Sequence, residues 1–127
     1  MPPHAQTTYG VLVVDDDHAI REMLREALED AGYRVMSAEN GAQALTQLRQ
    51  APTLPRVILL DLMMPVMTGW EFHVEQQADA RLAAIPVIVL SARPGMRHEA
   101  FTLTVDEFMP KPVDIARLLT IVGRYCV

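Results

Sequence analysis

Three short runs of almost unbroken apolar residues recur along the chain, at Val11 to Val14, Val57 to Leu60 and Pro86 to Leu90. Continuous rather than alternating apolar character suits strands covered on both faces, as in the middle of a parallel sheet. Between these runs the apolar spacing changes to three and four. From Ala19 to Ala31, residues Ile20, Met23, Leu24, Ala27 and Leu28 form one stripe with charges opposite, which predicts an amphipathic helix stopped at Gly32. Tyr33 to Ala38 predicts a shorter strand, Ala42 to Gln50 and Trp70 to Ala80 two helices, and Glu107 to Met109 a brief last strand. Asp114 to Tyr125 predicts a closing helix with Ile115, Leu118, Leu119 and Val122 on its apolar face. A short helix over Met96 to Leu103 completes the alternation, its approach interrupted by Pro94 and Gly95. Strand and helix alternating throughout imply right-handed crossovers and a doubly wound α/β architecture, with five parallel strands and five helices on the two faces.

Composition narrows the function classes. A length of 127 residues suits one compact domain. Half the residues are hydrophobic and about a fifth charged, and no apolar stretch approaches the roughly 18 residues of a membrane span, so a soluble domain is expected. No basic segment followed by an apolar run opens the chain, and Cys126 is its lone cysteine, so a cytoplasmic location is expected. A formal charge of -5 argues against direct nucleic-acid binding.

The chemistry gathers where strands end. In an open parallel sheet, ligands bind outside the carboxyl ends of the strands, where the strand order reverses. The first strand runs into Asp15, Asp16 and Asp17, the third into Asp61 and the fourth into Ser91, while Lys111 follows the fifth. Crowded carboxylates stay ionised most readily around a hard cation, which points to Mg2+, or Mn2+ in its place. His4, His18, His73 and His98 show no ligand spacing, which argues against zinc. A divalent ion that favours phosphate oxygens, together with a lysine point charge, suits phosphoryl chemistry.

VLVVDDD, VILLDLMMPVMTG, PVIVLSA and FMPKP, in that order, resemble the four signatures of response regulator receiver domains. The resemblance covers Gly10 to Tyr125, so residues 1–9 are expected to be an N-terminal extension and 10–127 the receiver domain. It implies the flavodoxin-like strand order 2-1-3-4-5. It also implies a signalling domain rather than an enzyme proper, phosphorylated on Asp61 by a sensor histidine kinase or a histidine phosphotransfer domain. Asp15 and Asp16 would then hold the metal together with Asp61 and the backbone carbonyl of Met63. Ser91 would bond one phosphate oxygen and Lys111 another, and Phe108 would be the switch aromatic that follows Ser91. The Lys111–Pro112 bond is often cis in this family. A monomer or weak dimer with a downstream protein partner is expected, and no output domain is visible in these residues. Met1 and the tidy ending at Val127 favour a stand-alone regulator.

Simpler roles account for the neighbours. Asp17 reads as a helix cap, Met63, Met64 and Met67 as packing or a partner surface, and Pro65 and Gly69 as shapers of the loop after Asp61. His18 and His73 are expected on solvated faces, and Trp70 packed near the loop; Phe108 reads equally well as plain core. Thr104 and Val105 replace the family's Gly-Ala pair, and the stretch from Ser91 to Lys111 is slightly short. Met63 and Arg93 occupy positions that border the path of water to a phosphoaspartate in receivers, and apolar Met63 is expected to impede that water. Two rivals remain. One is a phosphatase of the haloacid dehalogenase type, with Asp15 as nucleophile and Asp17 as acid/base, although Ala19 departs from its motif. The other is a receiver-shaped module that signals without phosphate.

Overall fold

The computed structural model describes residues 10–91 and 106–126. Nine elements lie along them: β1 (Val11–Val14), α1 (His18–Asp30), β2 (Val35–Ala38), α2 (Gly41–Gln50), β3 (Val57–Asp61), α3 (Gly69–Ala78), β4 (Val87–Ser91), β5 (Glu107–Pro110) and α4 (Ile115–Tyr125). The helix expected over Met96 to Leu103 lies outside the described residues, as do Arg93, Thr104 and Val105.

The strands form one sheet in the order β2-β1-β3-β4-β5, and every pairing is parallel. Side chains alternate between its two faces, so each apolar run divides into two sets. Leu12, Val14, Ile58, Leu60, Val87 and Val89 pack with Ala44, Leu45 and Leu48 of α2 and Phe72 of α3. Val11, Val13, Val57, Leu59, Ile88 and Leu90 pack with Leu24 and Leu28 of α1 and Leu118, Ile121 and Val122 of α4. Both faces being covered explains why these strands carry no polar alternation.

Element ends follow local chemistry that apolar spacing does not carry. Asp17, Asn40, Thr68 and Asp114 cap α1, α2, α3 and α4, each side chain accepting a backbone N–H of the first turn. At the far end of α1, Gly32 adopts φ 100°, and the N–H groups of Gly32 and Tyr33 donate to Glu29 and Leu28 carbonyls at 2.9 and 3.0 Å. That left-handed close stops the helix where the sequence predicts. β3 and β4 each run one residue further than their apolar stretch, to Asp61 and Ser91, because the ladder continues there: Asp61 pairs with Leu90, and Ser91 with Pro110.

The environment of His73 differs from the sequence expectation. It is 3% exposed rather than solvated. Its Nδ1 lies 3.0 Å from Gln76 Oε1, while Gln76 Nε2 donates to the Leu82 and Ile85 carbonyls at 3.0 Å each. Those two donations orient the Gln76 amide and make His73 Nδ1 the donor of the pair. A polar pair buried in α3 therefore ties the helix to the turn that follows it, which helical spacing reads as a solvated face.

Candidate functional site

The strand order reverses between β1 and its neighbours β2 and β3, so the crevice of the sheet lies over the ends of β1 and β3. Asp15 directly follows β1 and Asp61 ends β3. Both are withdrawn from solvent, at 1% and 5% exposure, whereas Asp16 is exposed. Each of the three offers a carboxylate oxygen within 4.8 Å of the others. This donor set is hard oxygen throughout and suits a small divalent cation such as Mg2+.

Lys111 directly follows β5, and the Lys111–Pro112 bond after it is cis, the isomer common in the family that the sequence resembles. Its Nζ sits 2.7 Å from Asp15 Oδ2 and 3.7 Å from Asp61 Oδ2. The ammonium thus bonds Asp15 and stands beside Asp61. Among the described residues, one ammonium paired with three carboxylates leaves the cluster net negative, which favours a cation there.

Backbone and neighbouring groups fix the remaining oxygens. Asp15 Oδ1 accepts the Asp17 N–H at 2.9 Å, and Asp61 Oδ1 accepts the Met63 N–H at 3.3 Å. Arg21, in the first turns of α1, donates to the Asp15 carbonyl at 2.8 Å and lies 3.2 Å from His18 Nδ1. Sequence reading passed over Arg21. Its position four residues after the cap Asp17, one helical turn further on, was the available signal.

Asp61 is the electrostatic outlier. Burial, joined by the charges of Asp15 and Asp16, pushes its carboxyl up to about 6, against the opposing pull of Lys111 and the Met63 N–H. A carboxylate so destabilised gains from any added positive charge.

The loop between β3 and α3 closes tightly under the site. A Cβ on Gly69 would lie 2.7 Å from the Asp61 carbonyl oxygen and from Leu62 Cα, backbone atoms that cannot yield. Only glycine lets α3 start this close to β3. Thr68 and Glu71 form a capping box over the same turn. Met64 is buried in the core, and Met67 and Trp70 pack against it, while Met63 keeps its side chain 45% exposed.

Ser91 is the last residue of β4. Phe108 lies in β5, half-buried against the core face that α2 and α3 cover. Asp17 stands apart from the cluster: its Oδ1 accepts the Ile20 N–H at 3.1 Å, the cap expected of it.

The chain resembles known proteins along nearly its whole length. The model of the response regulator receiver domain family matches residues 11–123. Response regulator Rre1 of Synechocystis is 36% identical over 116 residues, covering 89% of this chain and 49% of that protein. An uncharacterized 14.6 kDa protein of Leptolyngbya boryana is 35% identical over 119 residues, covering 92% of this chain and 89% of that one. Among solved structures, the chemotaxis protein CheY4 of Vibrio cholerae superposes with a TM-score of 0.81 at 32% identity, covering 93% of this chain and 98% of that one. The chain therefore spans about half the length of Rre1 and most of the other two.

Proposed function

Because the chain belongs to the response regulator receiver domain family of two-component signalling, we propose that it is a phosphorylation switch whose acceptor is Asp61, charged by a sensor histidine kinase or a histidine phosphotransfer domain. The observation that carries this reading is the cluster at the strand ends: a buried Asp61 facing two further carboxylates, with the Lys111 ammonium 3.7 Å away.

In the transfer, an Asp61 carboxylate oxygen forms a bond to phosphorus as the N–P bond of the donor phosphohistidine breaks, and the imidazole nitrogen keeps the electron pair. A carboxylate is a weak nucleophile, so the site contributes position and charge. Asp15, Asp16, Asp61 and the Met63 backbone carbonyl would hold Mg2+, or Mn2+ in its place. The bound ion supplies positive charge to the oxygens of the transferring group. Lys111, bonded to Asp15 before transfer, is drawn toward Asp61 once a phosphoryl group adds negative charge there. Ser91 bonds a second phosphate oxygen and Phe108 follows it inward, which biases a two-state element and alters the partner-binding face. Residues 10–127 form the receiver and 1–9 precede it. The domain works in the cytoplasm as a monomer or weak dimer on a protein partner. Among the described residues, no helix is long and apolar enough to cross a membrane.

The phosphatase alternative requires Asp17 as acid/base, and the engagement of Asp17 as the α1 cap disfavours it. Incubation with Mg2+ and acetyl phosphate, read by intact mass, tests the proposal. One added phosphoryl group in wild type and none in Asp61→Asn supports it. No gain in wild type favours the phosphate-independent module, and turnover that survives Asp61→Asn but needs Asp15 favours the phosphatase. Met63, exposed beside the acceptor, hinders the hydrolytic water, so Met63→Asn shortens the phosphoprotein lifetime. Equal decay rates by timed mass spectrometry would remove that role.

A further inference from the structure

Among the described residues, Val66 is the one non-glycine residue in left-handed backbone, at φ 71°. A β-branched side chain is strained there and stays only where its surroundings force it. Val66 supplies none of that force, being 82% exposed. Its neighbours do: the Met67 N–H donates to the Pro65 carbonyl across it at 2.8 Å, and the Gly69 N–H returns to the Leu62 carbonyl at 3.0 Å. Met64 is buried on one side of the turn, and Met67 packs into the same core face on the other.

The seat of Met67 is Gly41, the first residue of α2. A Cβ on Gly41 would lie 2.9 Å from both Cγ and Sδ of Met67 and 3.0 Å from Phe72 Cβ. Gly41 is not left-handed, and glycine at a helical position weakens a helix, so neither backbone shape nor propensity accounts for it. Close approach does. The Met67 side chain occupies the volume that any other residue at 41 would fill.

We infer that Gly41 is a positioning residue for the metal site, an inference that rests on the Mg2+ reading above. By seating Met67 it holds the strained turn at Val66, and the turn fixes the backbone at Met63, whose N–H reaches Asp61 Oδ1 and whose carbonyl would serve the ion. The three atoms nearest a Cβ at position 41 belong to Met67 and Phe72, and none is a carboxylate oxygen. The path runs through packing and backbone: a displaced Met67 releases the strained turn, and the released turn carries the Met63 peptide with it.

The test measures Mg2+ affinity by calorimetry and follows the Met63 amide resonance of metal-free, 15N-labelled full-length chain. Gly41→Ala is expected to weaken Mg2+ binding about tenfold and to shift the Met63 resonance before any metal is added. In a Met67→Ala background the same substitution changes neither, because the side chain it would displace is already gone. Gly41→Ala that lowers the melting temperature yet leaves Mg2+ affinity and the Met63 resonance at wild-type values overturns the inference. Should Gly41→Ala not fold, Met67→Ala carries the test: it must weaken Mg2+ binding and move the Met63 resonance, and wild-type values for both overturn the role. A wild-type chain that binds no Mg2+ overturns the metal reading and this role with it, whereas wild-type binding that Gly41→Ala leaves intact removes the role of Gly41 alone.

Discussion

Leu59 and Asp61 stand two residues apart on β3 and are almost equally withdrawn from water, at 0% and 5% exposure. For Leu59 that withdrawal stabilises the fold, because apolar area leaves water for a packed face shared with α1 and α4. For Asp61 it costs stability, because an ionised carboxylate loses hydration and faces Asp15. The middle of the sheet holds the fold together, and its carboxyl-end rim stores an unfavourable charge arrangement that added positive charge would relieve. The strands supply the stability against which the rim is strained.

The sharpest way to break this contrast is to change each residue in turn. Leu59→Ala is expected to lose about 3 kcal/mol, within the range for a fully buried leucine, and about 10 °C of melting temperature. A thermal scan showing a change under about 1 kcal/mol would mean that this face relaxes to fill the hole.

Asp61→Asn is expected to act in the opposite direction in metal-free protein. The folded-state carboxyl titrates near 6, above its unfolded value, so between about pH 4 and pH 6 the folded state binds more protons than the unfolded one. Wild-type stability therefore falls as pH rises through that window, with the full cost present above it. The asparagine protein escapes the cost: chemical denaturation in EDTA is expected to show it more stable by on the order of 2–3 kcal/mol at pH 7 and equal to wild type below about pH 4. Added Mg2+ should narrow the gap at pH 7 by stabilising wild type. A gap that does not depend on pH would mean that Asp61 is not strained by its charge.

The smallest effect is expected at Asp17, a carboxylate on the same rim with an ordinary capping role. Asp17→Ala should lose about 1 kcal/mol of stability through the α1 cap and leave phosphoryl incorporation at Asp61 unchanged. Loss of incorporation in Asp17→Ala would move Asp17 into the site.

The two core faces show how much the apolar pattern conveys. Unbroken runs at β1, β3 and β4 reported strands covered on both sides, and the three- and four-residue spacing of α1 and α4 reported the stripes that cover one of those sides, except that Met23 of the α1 stripe is 43% exposed. Such spacing is read from apolar residues alone and carries no information on polar pairs, so the burial of His73 against Gln76 was not visible in it. Likewise, the acidic residues at the strand ends were legible because a parallel sheet brings those ends to one rim. The partner chosen by Lys111 was not, because Asp15 and Asp61 both precede it in sequence and only the distances in the fold, 2.7 and 3.7 Å, separate them.

The sequence by itself determined the alternation of strands and helices, the membership of the rim at Asp15, Asp16, Asp61 and Lys111, and the cap at Asp17, since each depends on local spacing or on order along the chain. Tertiary structure alone decided which oxygen Lys111 bonds, how far the carboxyl of Asp61 is pushed from its ordinary value, and why position 41 must be empty of a side chain for Met67 to sit there. Those properties arise from contacts between residues distant in sequence, where a few tenths of an ångström separate a fit from a clash and the surroundings of a charge set its energy.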